Sequence, residues 1–83
     1  MAESLDKQID RLRWQCRRGL LELDCIFEDY LEQRYPTASE DEQRMFRNIL
    51  DQQDPDLQAW ILLDGEPPTA ELKRMVGILR GDS

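Results

Sequence analysis

Apolar residues recur at helical spacing along most of this chain. The first stripe places Leu5, Ile9, Leu12 and Cys16 at intervals of four, three and four residues, which puts them on one face of a helix. Four further stripes follow after Gly19. Their members are Leu20, Leu23, Phe27, Tyr30 and Leu31; Met45, Phe46, Ile49 and Leu50; Leu57, Trp60 and Ile61; and Leu72, Met75, Val76 and Leu79.

Residues typical of helix ends separate these stripes. Ser39 and Glu42 predict a capping box, in which serine hydroxyl and glutamate carboxylate satisfy amides of the first turn. Ser4 and Thr69 are further predicted N-caps, and Asp54-Pro55 is predicted to be an N-cap followed by proline at the first helical position. Helix ends are indicated by Tyr35-Pro36, Asp64-Gly65 and Gly81. Because the apolar run at 60–63 has no partner strand, we expect an all-α five-helix bundle that forms a single domain over residues 1–83. Its predicted core includes Leu12, Leu23, Phe27, Phe46, Ile49, Leu57, Trp60, Leu72 and Leu79.

The balance of charge excludes several classes of partner. The 83 residues include 11 basic and 18 acidic side chains, for a net charge of −7. This charge argues against non-specific nucleic-acid binding and against docking on anionic membranes. The apolar runs are too short to insert into a bilayer. The first residues resemble neither a secretory signal nor a mitochondrial presequence, so we expect a cytoplasmic protein with reduced thiols.

The absence of histidine from the sequence narrows the possible chemistry. It excludes a Ser-His-Asp triad, a Cys-His dyad and an ordinary zinc site, so we expect no bound metal. Cys16 continues the first apolar stripe and is predicted to be a buried hydrophobe, while Cys25 lies off the second stripe and is predicted to be partly exposed. A redox pair would require both thiols at bonding distance. We therefore favour a structural role for the cysteines.

Two neighbouring segments carry opposite charge. Between residues 7 and 18 the one acidic residue is Asp10, and the basic side chains are Lys7, Arg11, Arg13, Arg17 and Arg18. The second predicted helix is acidic, with Glu22, Asp24, Glu28, Asp29 and Glu32. The simpler interpretation is that the helices attract each other across their seam, each exposed pair contributing ~0.2–1 kcal/mol. The alternative is a charge pattern that faces a partner; we favour the seam for most of these charges.

The stretch Arg17-Arg18-Gly19-Leu20-Leu21-Glu22 is unusual. Glycine inside a helix costs ~1 kcal/mol relative to alanine, and arginines at the start of an acidic helix oppose its dipole. If one helix ran through them, Arg18 and Glu22 would share a face. A glycine between long charged side chains offers a place where another backbone can approach closely. Alternatively, Gly19 forms a turn between two helices, and composition leaves both interpretations open.

Two blocks of sequence resemble a known family. Arg17-Arg18-Gly19-x-Leu21-Glu22-Leu23-Asp24 resembles the Arg-Gly-x-x-Glu signature of the FAD assembly factors of succinate dehydrogenase, the SdhE family, which has a mitochondrial counterpart. The second block, Phe46-x-x-Ile49-Leu50 leading into Asp54-x-Asp56-Leu57-x-x-Trp60, then Gly65 and a proline pair, agrees with the same family. The resemblance extends over nearly the whole chain, and the two blocks together make it specific.

This resemblance implies both a fold and a function. The fold is a five-helix bundle; the function is to bind the flavoprotein subunit of succinate dehydrogenase, or of the related fumarate reductase, and to promote its covalent flavinylation with FAD. By resemblance Arg18, Gly19 and Glu22 lie in the interface with that client, and we add the neighbouring Arg17 and Asp24 as partner-binding candidates. We expect Arg18, Gly19 and Glu22 to be largely solvent-accessible. The second block is interpreted mainly as fold-forming.

The residues limit how such a factor could act. Covalent flavinylation needs a nucleophilic histidine, so the acceptor must lie on the client. With no glycine-rich turn after a strand, we expect no tightly bound cofactor; FAD belongs to the client. We also expect a monomer when free and no catalytic residues of its own. The alternatives are an antitoxin-like or other small interaction module and, with less support, a weak enzyme that uses Glu22 and Asp24.

Overall fold

The part of the chain that the structure describes is a bundle of five short helices. The structure, a computed structural model, describes residues 4–81 with all their side chains except that of Leu5, so the first member of the α1 stripe lies outside the described side chains. The elements are α1 (Leu5–Cys16), α2 (Leu21–Gln33), a 3-10 turn (Tyr35–Thr37), α3 (Glu40–Leu50), α4 (Asp54–Ile61) and α5 (Ala70–Leu79). These residues form no strand, which confirms the predicted all-α fold. Within the same range, no helix combines the length and the apolar character that crossing a membrane requires.

Three helices begin at the predicted hydroxyl caps. The side chains of Ser4, Ser39 and Thr69 each accept a hydrogen bond from the backbone amide three residues further on, at 3.4, 3.1 and 3.1 Å. These bonds satisfy amides that have no partner inside the helix. The carboxylate of Glu42, predicted to complete the capping box, instead accepts a hydrogen bond from the Tyr30 hydroxyl at 2.6 Å. Glu42 therefore links α3 to α2.

The two ends of α4 refine the prediction. Its N-cap is Gln53, and Asp54, predicted as the cap, is the first helical residue. At the other end Asp64 has a left-handed φ of 60°, and the Gly65 amide donates to the Ala59 carbonyl at 2.6 Å. A Cβ on Gly65 would lie 2.8 Å from that carbonyl oxygen, so this close approach requires glycine.

The core surrounds α2, which packs against α1, α4 and α5. At its centre the ring of Phe46 lies 4.5 Å from Tyr30, 5.6 Å from Tyr35 and 6.2 Å from Phe27, measured between ring centroids. Such tilted and edge-to-face pairs are the favourable arrangements of aromatic rings. Leu79 is half-buried against the core. The other predicted core residues are buried: Leu12, Leu23, Phe27, Phe46, Ile49, Leu57, Trp60 and Leu72.

Tyr35 is a core residue that the apolar stripes did not include. Its side chain is completely buried. Its hydroxyl donates to Gln8 Oε1 at 2.8 Å and accepts from Arg47 Nη1 at 2.9 Å. A buried hydroxyl without partners would destabilise the fold by ~1–3 kcal/mol. These two bonds satisfy it and join α1, the 3-10 turn and α3.

Candidate functional site

The connection between α1 and α2, residues 17–20, forms an exposed turn. Arg17 and Leu20 are extended, and Gly19 between them has a left-handed φ of 79°. A Cβ on Gly19 would meet nothing within 4 Å, so the backbone conformation selects glycine here rather than packing inside the molecule. The turn interpretation of Gly19 is thus confirmed. The open space above it also leaves room for another backbone.

The prediction that Arg18 is largely accessible is wrong, because its side chain is only 14% exposed. Arg18 Nη1 donates to Asp54 Oδ1 at 2.8 Å and to the Gln52 carbonyl at 3.2 Å, and Nη2 donates to the Leu50 carbonyl. The carbonyls at the end of α3 lack partners within that helix. A guanidinium carries several donors in one plane and can bond to them together.

The backbone of Arg18 is also held. Its amide donates to Asp24 Oδ1 at 2.9 Å, and Asp24 is half-buried in the first turn of α2. Arg18 and Glu22 do not share a helix face, because residues 17–20 are not helical. Glu22 is exposed at the start of α2, where the helix dipole favours its charge. Gly19 and Glu22 are thus turned to solvent, whereas Arg18 and Asp24 are not.

Arg17 differs from Arg18 in its surroundings. Its side chain is 63% exposed, with Nε 3.7 Å from Glu28 Oε1. Its guanidinium carbon lies 5.8 Å from the centre of the Trp14 ring. Such exposed pairs contribute little to stability and can be exchanged for contacts with a partner. Together with the Arg13–Glu32 pair at 3.6 Å, the Arg17–Glu28 pair confirms the attraction predicted across the α1–α2 seam.

Two large apolar side chains beside the turn face solvent. Trp14 is 75% exposed and Leu21 is 79% exposed. Neither was among the predicted partner-binding residues, although Trp14 lies two residues from both Leu12 and Cys16 of the α1 stripe and so on the opposite face of the helix. Exposed aromatic and aliphatic groups beside arginine are typical of protein interfaces. The exposed residues around the turn, called the loop surface below, are Trp14, Arg17, Gly19, Leu21 and Glu22.

The two cysteines are free and have different environments, as predicted. Cys16 is completely buried, and this burial, with the nearby charge of Glu28, raises the pKa of its thiol from 9.0 to about 12. The thiolate is the reactive form of cysteine, so Cys16 is inert at neutral pH. Cys25 is exposed on α2.

An exposed turn whose backbone is held by buried contacts, with aromatic, basic and acidic side chains around it, is the kind of surface that small protein-interaction modules present. Comparisons with known proteins agree with this class. Residues 10–82 match the family described as the flavinator of succinate dehydrogenase. The chain therefore belongs to this family, which confirms the resemblance read from its motifs. The family consists of assembly factors, so the chain is not an enzyme.

Individual relatives support the same assignment. The "FAD assembly factor SdhE" of Pectobacterium atrosepticum is 40% identical over 70 residues, which are 84% of this chain and 80% of that protein. The protein of the same name from Idiomarina loihiensis is 41% identical over 75 residues, or 90% and 83% of the two chains. That from Shewanella oneidensis is 41% identical over 73 residues, or 88% and 89%.

Proposed function

We propose that this chain is an assembly factor that binds the flavoprotein subunit of succinate dehydrogenase, its client, and promotes covalent attachment of FAD to that subunit. The family match carries this proposal, because it extends from residue 10 to residue 82 and includes the complete loop surface. The fold and the site agree with a binding role, since the exposed residues lie on or beside a turn whose backbone is held by the contacts of Arg18 with Asp24 and Asp54.

The loop surface supplies complementary kinds of contact. Trp14 and Leu21 offer apolar area that is in water in the free protein, and its burial would drive association. Arg17 offers a forked donor and Glu22 a carboxylate, which set the orientation of the partner. Gly19 has no side chain, so the client backbone can approach the turn between these two charges.

The chemistry of attachment is assigned to the client. The chain has no histidine to accept the flavin. Its helix N-termini, where a dinucleotide diphosphate would bind best, carry carboxylates that repel phosphate. We therefore propose that the factor holds the client in a reactive arrangement and binds no cofactor tightly itself. The acidic residues in these first turns are Asp6, Glu22, Asp24, Glu40, Asp41, Glu42, Asp54, Asp56 and Glu71.

Three finer points belong to the same proposal. The flavoprotein of fumarate reductase is proposed as a second client, since the resemblance implies both. The free chain is proposed to be a monomer. The two free cysteines agree with a reducing compartment, and we propose the cytoplasm.

The decisive experiment combines purified apo-flavoprotein with FAD, with and without this chain, and measures covalent flavin fluorescence on a denaturing gel. We expect the chain to increase the fluorescent fraction of the client. A Gly19→Arg variant should not increase the fluorescence. Gly81, just after α5, has a similar φ of 82°, and Gly81→Arg should remain active. Equal fluorescence with and without the chain would overturn the proposal. In a separate pull-down, recovery of a small toxin instead of a flavoprotein would favour the antitoxin-like alternative.

A further inference from the structure

The ion pair between Arg18 and Asp54 connects the two sequence blocks that carry the family resemblance. Arg18 belongs to the first block and Asp54 to the second, and their side chains meet at 2.8 Å. We infer that Asp54 is a positioning residue for client binding: it acts through Arg18 and holds the Gly19 turn in the conformation that presents the loop surface. This inference rests on the proposed function and assigns a role to a residue outside the loop surface.

The geometry of Arg18 excludes it as the main arginine presented to the client. Both terminal nitrogens of its guanidinium are bonded to Leu50, Gln52 and Asp54. Its Nε is buried as well and has no hydrogen-bond partner among the described residues. The guanidinium carbon also lies 5.9 Å from the centre of the buried Phe27 ring. The exposed arginine of the pair is Arg17.

Asp54 is placed to control where the guanidinium sits. The two carbonyl acceptors belong to Leu50, the last residue of α3, and to Gln52 just after it, whereas Asp54 supplies the one carboxylate among the partners of the guanidinium. A charge-assisted bond is about twice as strong as a neutral one. Asp54 is not the N-cap of α4, a position that Gln53 occupies. Its carboxylate therefore makes no capping bond; it bonds to Arg18 from the first turn of α4.

The effect reaches the loop surface through the backbone of Arg18. With its side chain held from α4 and its amide held by Asp24, the residue is fixed immediately before Gly19. A turn that is already ordered loses less conformational entropy when a partner binds. Loss of the Asp54 bond should therefore weaken client binding even while the protein remains folded.

The test measures affinity of the full-length chain for the purified flavoprotein subunit by calorimetry. We expect Asp54→Asn to weaken binding by about tenfold, the factor that one charge-assisted hydrogen bond supplies. Asp56→Asn, an exposed carboxylate in the same helical turn, is the matched control and should change affinity less than about twofold. Equal affinities for wild type and Asp54→Asn, or equal losses in both variants, would overturn the inference.

A double-mutant cycle separates positioning from direct contact, because the Asp54 side chain is 41% exposed and could itself touch the client. If Asp54 acts through Arg18, adding Arg18→Gln to Asp54→Asn should cost much less affinity than Arg18→Gln costs alone. Additive losses would mean that each residue contacts the client separately and would overturn the inference. If wild type does not bind the flavoprotein, the proposed function fails instead.

Folding is checked in parallel. Each variant is measured at a temperature well below its own melting transition. Exchange of the Arg18 amide, which is hydrogen-bonded to Asp24, should accelerate in Asp54→Asn but not in Asp56→Asn. Unchanged exchange of this amide would contradict the positioning role. If Asp54→Asn does not fold, Arg18→Lys provides the test. Lysine keeps the positive charge but lacks the planar guanidinium that bonds to several acceptors at once, so client binding should weaken. Wild-type affinity in Arg18→Lys would overturn the inference.

Discussion

Arg17 and Arg18 are adjacent in the chain, yet their guanidinium groups lie in opposite environments. The Arg17 side chain is 63% exposed above Trp14, whereas that of Arg18 is 14% exposed and is bonded to the end of α3 and the start of α4. The break in the helix at residues 17–20 causes this difference, because extended backbone directs successive side chains to opposite sides. One arginine therefore holds the site in place while the other is available to a partner.

The first prediction concerns the backbone of Gly19. Because its φ of 79° is unfavourable for other residues, Gly19→Ala should destabilise the protein by about 1 kcal/mol, which lowers Tm by roughly 4–8 °C in a domain of this size. Gly19→Arg should lower Tm by a similar amount, since a side chain there meets open space, but should also abolish client binding. Thermal unfolding and calorimetry measure the two effects separately.

Gly81 is the control for this prediction. Its φ of 82° and its open surroundings match those of Gly19, so Gly81→Ala should give the same loss of Tm. Client binding should be unaffected. A Gly19→Arg variant that is unfolded at room temperature would show that the glycine is mainly structural and would remove the main support for its role in binding.

Trp14 and Arg17 should contribute to binding and little to folding. Trp14→Ala is expected to weaken client binding by about 2 kcal/mol and Arg17→Ala by about 1 kcal/mol, because buried aromatic and arginine side chains dominate interface energies. Both should change Tm by only a few degrees, since both side chains are exposed. The control is Leu63→Ala, which removes an exposed leucine just after the C-cap of α4. Full affinity in both loop-surface variants would place the interface elsewhere.

A third prediction concerns the cofactor. The purified protein should be colourless and should bind free FAD weakly or not at all, because its helix N-termini carry carboxylates and its net charge is −7. Titration of the protein into FAD, followed by flavin fluorescence, measures this. Saturable micromolar binding that disappears when Arg17 and Arg18 are replaced by alanine would indicate a flavin carrier rather than a client chaperone.

Cys16 should make stability dependent on pH. Its folded-state pKa of about 12 lies above the ordinary value of 9.0, so between these values the unfolded thiol has lost a proton that the folded thiol keeps. The free energy of unfolding should therefore decrease as pH rises through this range, by up to about 1.4 kcal/mol per pH unit. Burial, together with the bond to Glu42, also raises the pKa of Tyr30, which acts in the same direction at higher pH.

Denaturant unfolding between about pH 8 and 10 tests this dependence. Cys16→Ala should be less stable at neutral pH, because it leaves a small cavity, but its stability should fall less steeply as pH rises. Cys25→Ala, which removes an exposed thiol, should keep the wild-type slope. Identical slopes in the wild type and Cys16→Ala would contradict the assignment.

Local features of the sequence were sufficient to predict the helices and most of the core. Ser4, Ser39 and Thr69 mark helix starts because each bonds only three residues away, and apolar spacing identifies buried faces directly. Tyr35 was recognised only as part of a helix end, since the partners of its hydroxyl, on α1 and α3, are distant in sequence. Patterns within one helix do not contain such information.

The turn at residues 17–20 was predicted in position, but the arrangement of its side chains was not. The motif located the turn and Gly19 correctly, whereas the burial of Arg18 depends on acceptors 32 to 36 residues further along the chain. Local capping rules also assigned Asp54 to the start of α4, because nothing near it in sequence indicates a bond to Arg18. The exposure of Trp14 follows from its position opposite the α1 stripe, but exposure alone does not distinguish an interface residue from any other surface residue.

The distance along the chain between Arg18 and its acceptors has a consequence for protein synthesis. The Arg17–Glu22 segment leaves the ribosome well before Leu50 and Asp54, so the contacts that fix the turn cannot form on a short nascent chain. A fragment that ends before α4 carries the complete signature motif but lacks the carboxylate that holds it. For the proposed function this means that the turn is expected to reach its binding conformation only after Leu50 and Asp54 have emerged, late in translation.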